Sequence, residues 1–359
     1  MGWKKNEIIL ENGASAQAQA PIIVSASRST DIPAFYADWF FKRLEIGYSA
    51  WTNPFNGVKS YVSYDQTRFI VFWSKNPKPL LEYLPILEER NIKCYIQYTL
   101  NDYVNEGLEK GVPSVQRRID TFKELVKRLG KGHVIWRFDP LILTDVITPE
   151  VLLKKIENIG NQLQGYTEKL VFSFADIESY KKVKNNLIRN NVHYNEWTED
   201  GMISFAKSLS ELNAIKGWNY ELATCGEKPI YKEYGIKPNH CIDDNLMIRF
   251  AWKDKELMKF LGVQILEKNT LLSLFDEPET IPDGAIMLDD GIHYAIKNKD
   301  NKDKGQRTLC GCMVSKDIGQ YDTCPHQCEY CYANTSKEIA LANFKTHKDN
   351  PFAETITGR

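Results

Sequence analysis

The sequence has no long apolar run and no excess of either charge. No stretch of the 359 residues approaches the ~18 apolar residues of a membrane-spanning helix. The N-terminus, Met-Gly-Trp-Lys-Lys-Asn-Glu, lacks the apolar core of a signal peptide. The 46 Lys and Arg nearly balance the 47 Asp and Glu, so composition does not indicate a broad surface for phosphates or membranes. We therefore expect a cytoplasmic protein with no membrane partner.

Cysteine is also uncommon, but its positions are uneven. Five of the eight cysteines lie between Cys310 and Tyr332. A chain of this length can bury its own core, so disulfides are not needed. Within this stretch Cys324, Cys328 and Cys331, which we call the triad, have the spacing Cys-x3-Cys-x2-Cys. Three thiolates on a short loop can bind three irons of a 4Fe–4S cluster and leave the fourth iron open.

The triad spacing, with the aromatic residue Tyr330 before its third cysteine, resembles the signature of the radical S-adenosylmethionine (radical SAM) enzymes. The resemblance implies that SAM chelates the open iron. It also implies that an electron from the cluster cleaves SAM to a 5′-deoxyadenosyl radical, which abstracts a hydrogen atom from a substrate. Radical SAM enzymes usually carry the motif near the N-terminus, whereas this chain carries it near the C-terminus.

A wider pattern runs from about Ile22 to Asn334. It includes Ser-Arg-Ser-Thr-Asp-Ile-Pro-Ala-Phe-Tyr, Trp-Arg-Phe-Asp-Pro and Lys-Asp-Lys-Gly-Gln-Arg. These segments resemble an uncharacterised bacterial family (domain of unknown function 1848) that is loosely likened to spore photoproduct lyase. By analogy of fold, this makes a nucleotide or a nucleic-acid lesion one candidate substrate.

A zinc site is the alternative reading of the triad. Zinc prefers four nitrogen or sulfur ligands, usually in two Cys-x2-Cys pairs. The triad does not follow that spacing, although His326 could supply a fourth ligand.

A second set of cysteines remains after the triad is removed. Cys94 lies inside a predicted strand and is expected in the core. The other four follow a strand or lie in loop-like sequence, and we call them the second set: Cys225, Cys241, Cys310 and Cys312. Four such thiols can bind a second, fully ligated 4Fe–4S cluster. Zinc bound by the same thiolates, or buried thiols that share no metal, are the alternatives.

Short apolar runs alternate with helical patterns over most of the chain. Expected strands are 21–27, 48–52, 68–73, 92–100, 133–138, 169–174 and 218–224. Expected helices are 34–45, 79–90, 115–129, 149–163, 200–212 and 336–344. This alternation predicts an α/β protein with a full or partial (β/α) barrel, which radical SAM enzymes also use. We expect an N-terminal extension (1–20), a barrel core (21–225), a less regular region (226–305), a cysteine-rich cluster-binding segment (306–345) and a polar tail (346–359).

Polar residues follow most of the predicted strands, where a barrel has its active site. We expect SAM to lie across these ends and to contact Arg28, Lys75, Arg137, Asp139 and Tyr330. Five aromatic residues near strand ends could stack on a base, although core packing is the simpler role for most of them: Tyr36, Trp51, Phe55, Trp73 and Trp136.

These features favour an enzyme, with a reductant such as ferredoxin or flavodoxin as partner. Two alternatives stay open. One is an electron carrier with two clusters and no SAM chemistry, although that function does not need a barrel with polar strand ends. The other is a zinc-dependent nucleic-acid-binding protein with a local basic patch.

Overall fold

The computed structural model describes residues 3–53, 56–268 and 281–359. The helices are α1 (Ile32–Phe35), α2 (Ala37–Ile46), α3 (Leu84–Glu89), α4 (Val115–Leu129), α5 (Pro149–Leu163), α6 (Lys181–Arg189), α7 (Glu199–Ile215), α8 (Asp244–Ala251), α9 (Lys255–Leu261) and α10 (Lys337–Asp349), and two 3₁₀ helices span Lys78–Tyr83 and Pro229–Tyr234. The strands are β1 (Lys5–Ile9), β2 (Ser15–Gln19), β3 (Ile23–Ala26), β4 (Tyr48–Thr52), β5 (Lys59–Ser63), β6 (Phe69–Ser74), β7 (Lys93–Thr99), β8 (Val134–Leu141), β9 (Leu143–Thr144), β10 (Lys169–Phe174), β11 (Tyr194–Asn195), β12 (Glu221–Thr224), β13 (Lys237–Pro238), β14 (Val263–Glu267), β15 (Ile286–Met287), β16 (His293–Lys297) and β17 (Lys316–Asp317).

The main sheet has eight strands in the order β13-β12-β10-β8-β7-β6-β3-β17. Every neighbouring pair in it is parallel, which confirms the prediction of an α/β protein. From β3 to β12 the strands follow chain order across the sheet. Because parallel crossovers are right-handed, this order places the connecting helices on one face. Closure into a barrel stays a prediction.

The two faces of the main sheet pack against different parts of the chain. Alternate strand residues such as Val24, Ile70 and Ile96 pack with the large helices α2, α4, α5 and α7. Their neighbours Phe69 and Tyr95 face the other way and pack with α8, α9 and β16. Because successive side chains of a strand point to opposite faces, each apolar run supplies both cores.

One predicted strand belongs to a different sheet. Tyr48–Thr52 is β4, and it pairs antiparallel with β5 in a four-stranded sheet with β1 and β2. The segment between β4 and β5 is too short for a parallel crossover, which needs a dozen or more residues. Two predicted helices are also divided. The first breaks at Tyr36, between α1 and α2, and α3 begins beside Pro85, which cannot continue a preceding helix.

The regions without a clear pattern are ordered where the structure describes them. Residues 226–305 include α8, α9 and an antiparallel sheet of β14, β16 and β15. The predicted tail packs against the N-terminal sheet: Ala50 N donates to Glu354 O at 2.8 Å, and Trp39 Nε1 donates to Ala353 O at 2.9 Å. No helix in the described ranges is both long and apolar enough to cross a bilayer.

Candidate metal centres

The triad lies on a loop, which we call the triad loop, that Tyr36 and Asn186 hold in place from outside and Asn334 from within. Tyr36 OH donates to Thr323 O at 2.5 Å, and Asn186 Nδ2 donates to Cys331 O at 3.1 Å. Asn334 Nδ2 donates to Cys324 O at 2.7 Å, closing the loop on itself. Between the first two cysteines Gln327 has a φ of 56°, in the left-handed region. This conformation reverses the chain within the Cys-x3-Cys segment.

A second loop, residues 101–111 after β7, which we call the clamp loop, packs against the triad loop. Glu329 N donates to Leu108 O, and Gly111 N donates to His326 O, each at 2.9 Å. Gly111 allows this approach, since a Cβ at that position would lie 2.6 Å from His326 O. The two loops are therefore joined through the backbone, and a larger residue at position 111 would separate them.

His326 is directed away from the role of a zinc ligand. Its Nε2 lies 2.7 Å from Asp31 Oδ2, and its Nδ1 lies 3.2 Å from Gly111 O. Asp31 also accepts from Lys75 N at 2.7 Å, so the pair joins the triad loop to the ends of β3 and β6. With both ring nitrogens engaged, the imidazole does not complete a fourth ligand position for the triad.

Lys75 and Tyr330, two of the predicted SAM contacts, meet on one buried carboxylate beside the triad. Lys75 Nζ lies 2.7 Å from Glu109 Oε1 and 2.9 Å from Tyr330 OH, and Tyr330 OH also donates to Glu109 Oε1. Glu109 is 2% exposed. Although burial opposes ionisation, Lys75 and Arg118 lower the pKa of Glu109 to about 2. The carboxylate is therefore ionised and holds both partners.

Burial raises the pKa of the Cys324, Cys328 and Cys331 thiols. Lys75 acts in the opposite direction on Cys328 and Cys331. Free triad thiols are thus protonated at neutral pH, and metal binding must displace their protons.

A compact group of three potential metal ligands lies outside both cysteine sets. Tetrahedral zinc with Zn–S bonds of ~2.3 Å places its sulfurs ~3.8 Å apart. Among the described residues, His240, Asp243 and Asp244 form the only group of three potential ligands whose atoms all lie within 4.8 Å of one another. Neither the triad nor any three cysteines of the second set form such a compact group in the described ranges.

The second set is assembled from three separate segments. Cys225 follows β12, Cys241 precedes α8, and Cys310 and Cys312 flank Gly311. Cys225 Sγ and Cys241 Sγ lie 3.2 Å apart, and Cys241 N donates to Cys312 Sγ at 3.2 Å. A Cβ on Gly311 would lie 2.3 Å from the His240 ring, so a larger residue at this position would have to displace that ring. The fold thus brings together four cysteines that span 88 positions, from 225 to 312.

Arg137 and Asp139, predicted SAM contacts, lie at the second set. Arg137 Nη1 donates to Cys241 Sγ at 3.2 Å and to Gln97 Oε1 at 3.1 Å. Arg137 Nη2 pairs with the Asp139 carboxylate. Despite burial, the Cys241 and Asp139 charges raise the pKa of Arg137 well above its usual value.

Arg28 interacts with residues of the second set and with Tyr332, next to the triad. Its guanidinium stacks 5.7 Å from the Trp73 ring, and Arg137 stacks on the same ring at 5.2 Å. Cys312 and Asp317 raise the pKa of Arg28 although burial lowers it. The Tyr332 hydroxyl, next to the triad, donates to Arg28 O. The buried Nη2 of Arg28 has no hydrogen-bond partner within the described ranges.

The second set favours thiolate more than the triad does. Hydrogen bonds from Cys225 and Cys312, with Arg137, hold the pKa of Cys241 well below its usual value. A hydrogen bond with Cys312 lowers the pKa of Cys310 to about 6, although burial opposes it. The same bonds, with burial, raise the pKa of Cys312. The hydrogen bond with Cys241, with burial, raises the pKa of Cys225 well above its usual value, so Cys241 and Cys310 are the two thiols of the set that favour the thiolate form.

Carboxylates beside the second set have other roles. Asp243 caps α8 through Asn245 N at 2.9 Å, and Asp244 pairs with Lys297 at 2.7 Å. These contacts explain the proximity of both carboxylates to His240 without a metal.

The predicted aromatic residues have different environments. Tyr36 and Trp136 are fully buried in the core with Cys94, as packing predicts. Trp73 is covered by the two arginines, and Trp51 donates to Gly319 O at 3.0 Å. Phe55 lies outside the described residues. The residues that sequence reasoning missed are Asn101, Glu109, Gly111 and Arg118.

The comparisons with known proteins give a family without a described activity. The family model described as "Domain of unknown function (DUF1848)" matches residues 23–333, a range that contains both cysteine sets. No curated protein matches the chain. No solved structure matches it either.

Proposed function

The chain belongs to the family described as a domain of unknown function (DUF1848), and we propose that it is a radical SAM enzyme. In this proposal Cys324, Cys328 and Cys331 bind a 4Fe–4S cluster with one open iron. The observation that carries it is one loop of three cysteines, with Tyr330 before the third, whose contacts with Lys75 and Asn101 place it at the carboxyl edge of a parallel sheet. When bound, the cluster supplies the electron that cleaves SAM.

The side chains beside the triad suit SAM recognition. Tyr330 presents an aromatic ring between two triad cysteines, and Lys75 supplies a positive charge. Arg28 has a free donor and lies between the two sets. A guanidinium can bind a carboxylate through two parallel hydrogen bonds. We assign Tyr330, Lys75 and Arg28 to SAM, and we give Arg137 and Asp139 a role at the second set.

The finer fold assignment belongs to the same proposal. Six parallel strands in chain order, with short strands β13 and β17 beyond them, support a partial (β/α) barrel of radical SAM type. Both cysteine sets contact residues in or just after these strands, which agrees with the location of active sites in such barrels. The substrate, a nucleotide or nucleic-acid lesion among the candidates, would enter at this edge.

We propose that the second set binds another 4Fe–4S cluster, with zinc as the alternative. With four thiolates it would have no open iron, so its role is electron delivery or attachment of the C-terminal segment. A cytoplasmic location and a ferredoxin or flavodoxin reductant complete the proposal, since a cluster of this kind needs an electron donor.

Metal content and SAM cleavage test the proposal together. Protein reconstituted with iron and sulfide without oxygen is compared with a variant in which all three triad cysteines are Ala. We expect the wild type to cleave SAM to 5′-deoxyadenosine, and the variant to lose all cleavage and about four irons per chain. Unchanged iron content in the variant would refute the triad assignment. Iron without SAM cleavage would favour an electron carrier, and colourless protein with stoichiometric zinc would favour a zinc-dependent protein.

A further inference from the structure

Glu109 connects the clamp loop to the triad loop through both backbone and side chain. Its backbone forms an antiparallel bridge with Cys328. Its Oε1 atom accepts from Lys75 Nζ and from Tyr330 OH. The carboxylate thus lies where the end of β6, the clamp loop and the triad loop meet.

The remaining contacts of this site are also buried. Asn101 Nδ2 lies 3.1 Å from Tyr330 OH and 3.4 Å from Glu109 Oε1. Arg118 Nη2 is 3.7 Å from Glu109 Oε2 and donates to Asn101 O at 2.8 Å. Tyr103 packs edge-on against the Tyr330 ring at 5.9 Å. The Tyr330 hydroxyl is therefore fully engaged, and the ring is fixed from its polar end and from one side.

We propose that Glu109 is a positioning residue for SAM binding, acting through Tyr330 and Lys75. It fixes the Tyr330 ring between two triad cysteines and holds the Lys75 ammonium next to Cys328. Glu109 itself does not contact SAM. This inference rests on the proposed function, because it requires a triad cluster that binds SAM.

Glu329 offers a matched control. It is also 2% exposed, and it lies one residue from both Cys328 and Tyr330 in the chain. Its carboxylate pairs with Lys337 at 2.5 Å and Lys110 at 3.3 Å. Glu329→Gln therefore removes a buried charge next to the same cysteine without removing a partner of Tyr330 or Lys75.

The test measures iron content, SAM dissociation constant and SAM-cleavage kinetics in the reconstituted full-length protein. We expect Glu109→Gln to retain the triad iron and to weaken SAM binding by about tenfold, the size of one lost charge-assisted hydrogen bond. The weaker SAM binding should raise KM more than it lowers kcat. Glu329→Gln should bind SAM as the wild type does.

A double-mutant cycle separates positioning from a general structural effect. If Glu109 acts through Tyr330, Tyr330→Phe added to Glu109→Gln should weaken SAM binding by less than a further factor of about two, because coupled residues are not additive. Fully additive losses, loss of iron in Glu109→Gln, or an equal weakening in Glu329→Gln would overturn the proposal for Glu109. A wild type that holds iron but binds no SAM would instead refute the proposed function, and this inference with it.

Discussion

The two cysteine sets differ in how much of the fold each one needs. The triad occupies eight consecutive positions of one loop, 324–331. The second set draws its thiols from the end of β12, the segment before α8 and the Cys310–Cys312 turn. Cys241, Cys310 and Cys312 are packed in the core with α8 and α9, whereas Cys328 belongs to the core on the helical face. The triad can form once its own loop has folded. The second set forms only after distant segments of the chain have packed together.

The charged groups beside the two cysteine sets also differ. Lys75 at the triad is paired with Glu109, and the triad thiols are protonated without metal. The second set has the buried Arg137 in direct contact with Cys241. At ~4 Å and an effective dielectric of ~20, a pair of opposite charges interacts by about 4 kcal/mol. Each set therefore has beside it a cation that is paired with a carboxylate, and at the second set that cation also donates directly to a sulfur.

Loss of the second metal should have the largest effect on stability. In Cys310→Ala/Cys312→Ala we expect the free energy of unfolding to fall by roughly 4 kcal/mol or more, the range of mutations that remove a metal. Metal analysis and denaturant unfolding check this result, with the triad variant as the control that should lose activity more than stability. Equal metal content in wild type and double variant would mean that these thiols share no metal.

Substitution of Gly111 or Gly311 should perturb the two cysteine sets one at a time, without removing a cysteine. Gly111→Ala pushes on His326 O at the triad, and Gly311→Ala pushes on the His240 ring at the second set. Overpacking of this kind costs about 1–3 kcal/mol. We expect each variant to lose metal from its own set alone, measured as iron per chain beside the matching cysteine variant. If both variants lost the same metal, the two sets would form one site.

Arg137→Lys should have a smaller effect than the cysteine and glycine substitutions, and it distinguishes between two roles for Arg137. A role in binding the SAM carboxylate predicts weaker SAM binding with all metal retained. Its position against Cys241 predicts partial loss of the second metal, because breaking a buried charged pair costs about 3–5 kcal/mol when one partner is removed and less when the charge stays. We expect the second result. Iron content and SAM affinity, measured on one preparation, distinguish the two.

Features that depend on residues close together in the sequence could be predicted from it, whereas features that depend on distant residues could not. The parallel strands and the triad depend on neighbouring residues, and their patterns indicated them. For the second set, the four cysteines that remain after the triad and Cys94 indicated a shared site. Their contacts with Arg137 could not be predicted, because these contacts depend on how β8 packs against α8. Glu109 carried no signal, because the clamp loop has no periodicity and its partner Tyr330 lies 221 residues away. β4 was misplaced because its partner β5, Lys-Ser-Tyr-Val-Ser, is too polar to suggest a hairpin.

The central claim is an open iron at the triad, and electron paramagnetic resonance tests it most directly. The Cys310→Ala/Cys312→Ala protein is reduced without oxygen, so that a triad cluster is the sole source of signal. We predict a spectrum of a reduced 4Fe–4S cluster whose g values shift when SAM is added and which disappears when the three triad cysteines are also changed to Ala in the same protein. A cluster spectrum that SAM does not change, or no cluster spectrum at all, would contradict the account.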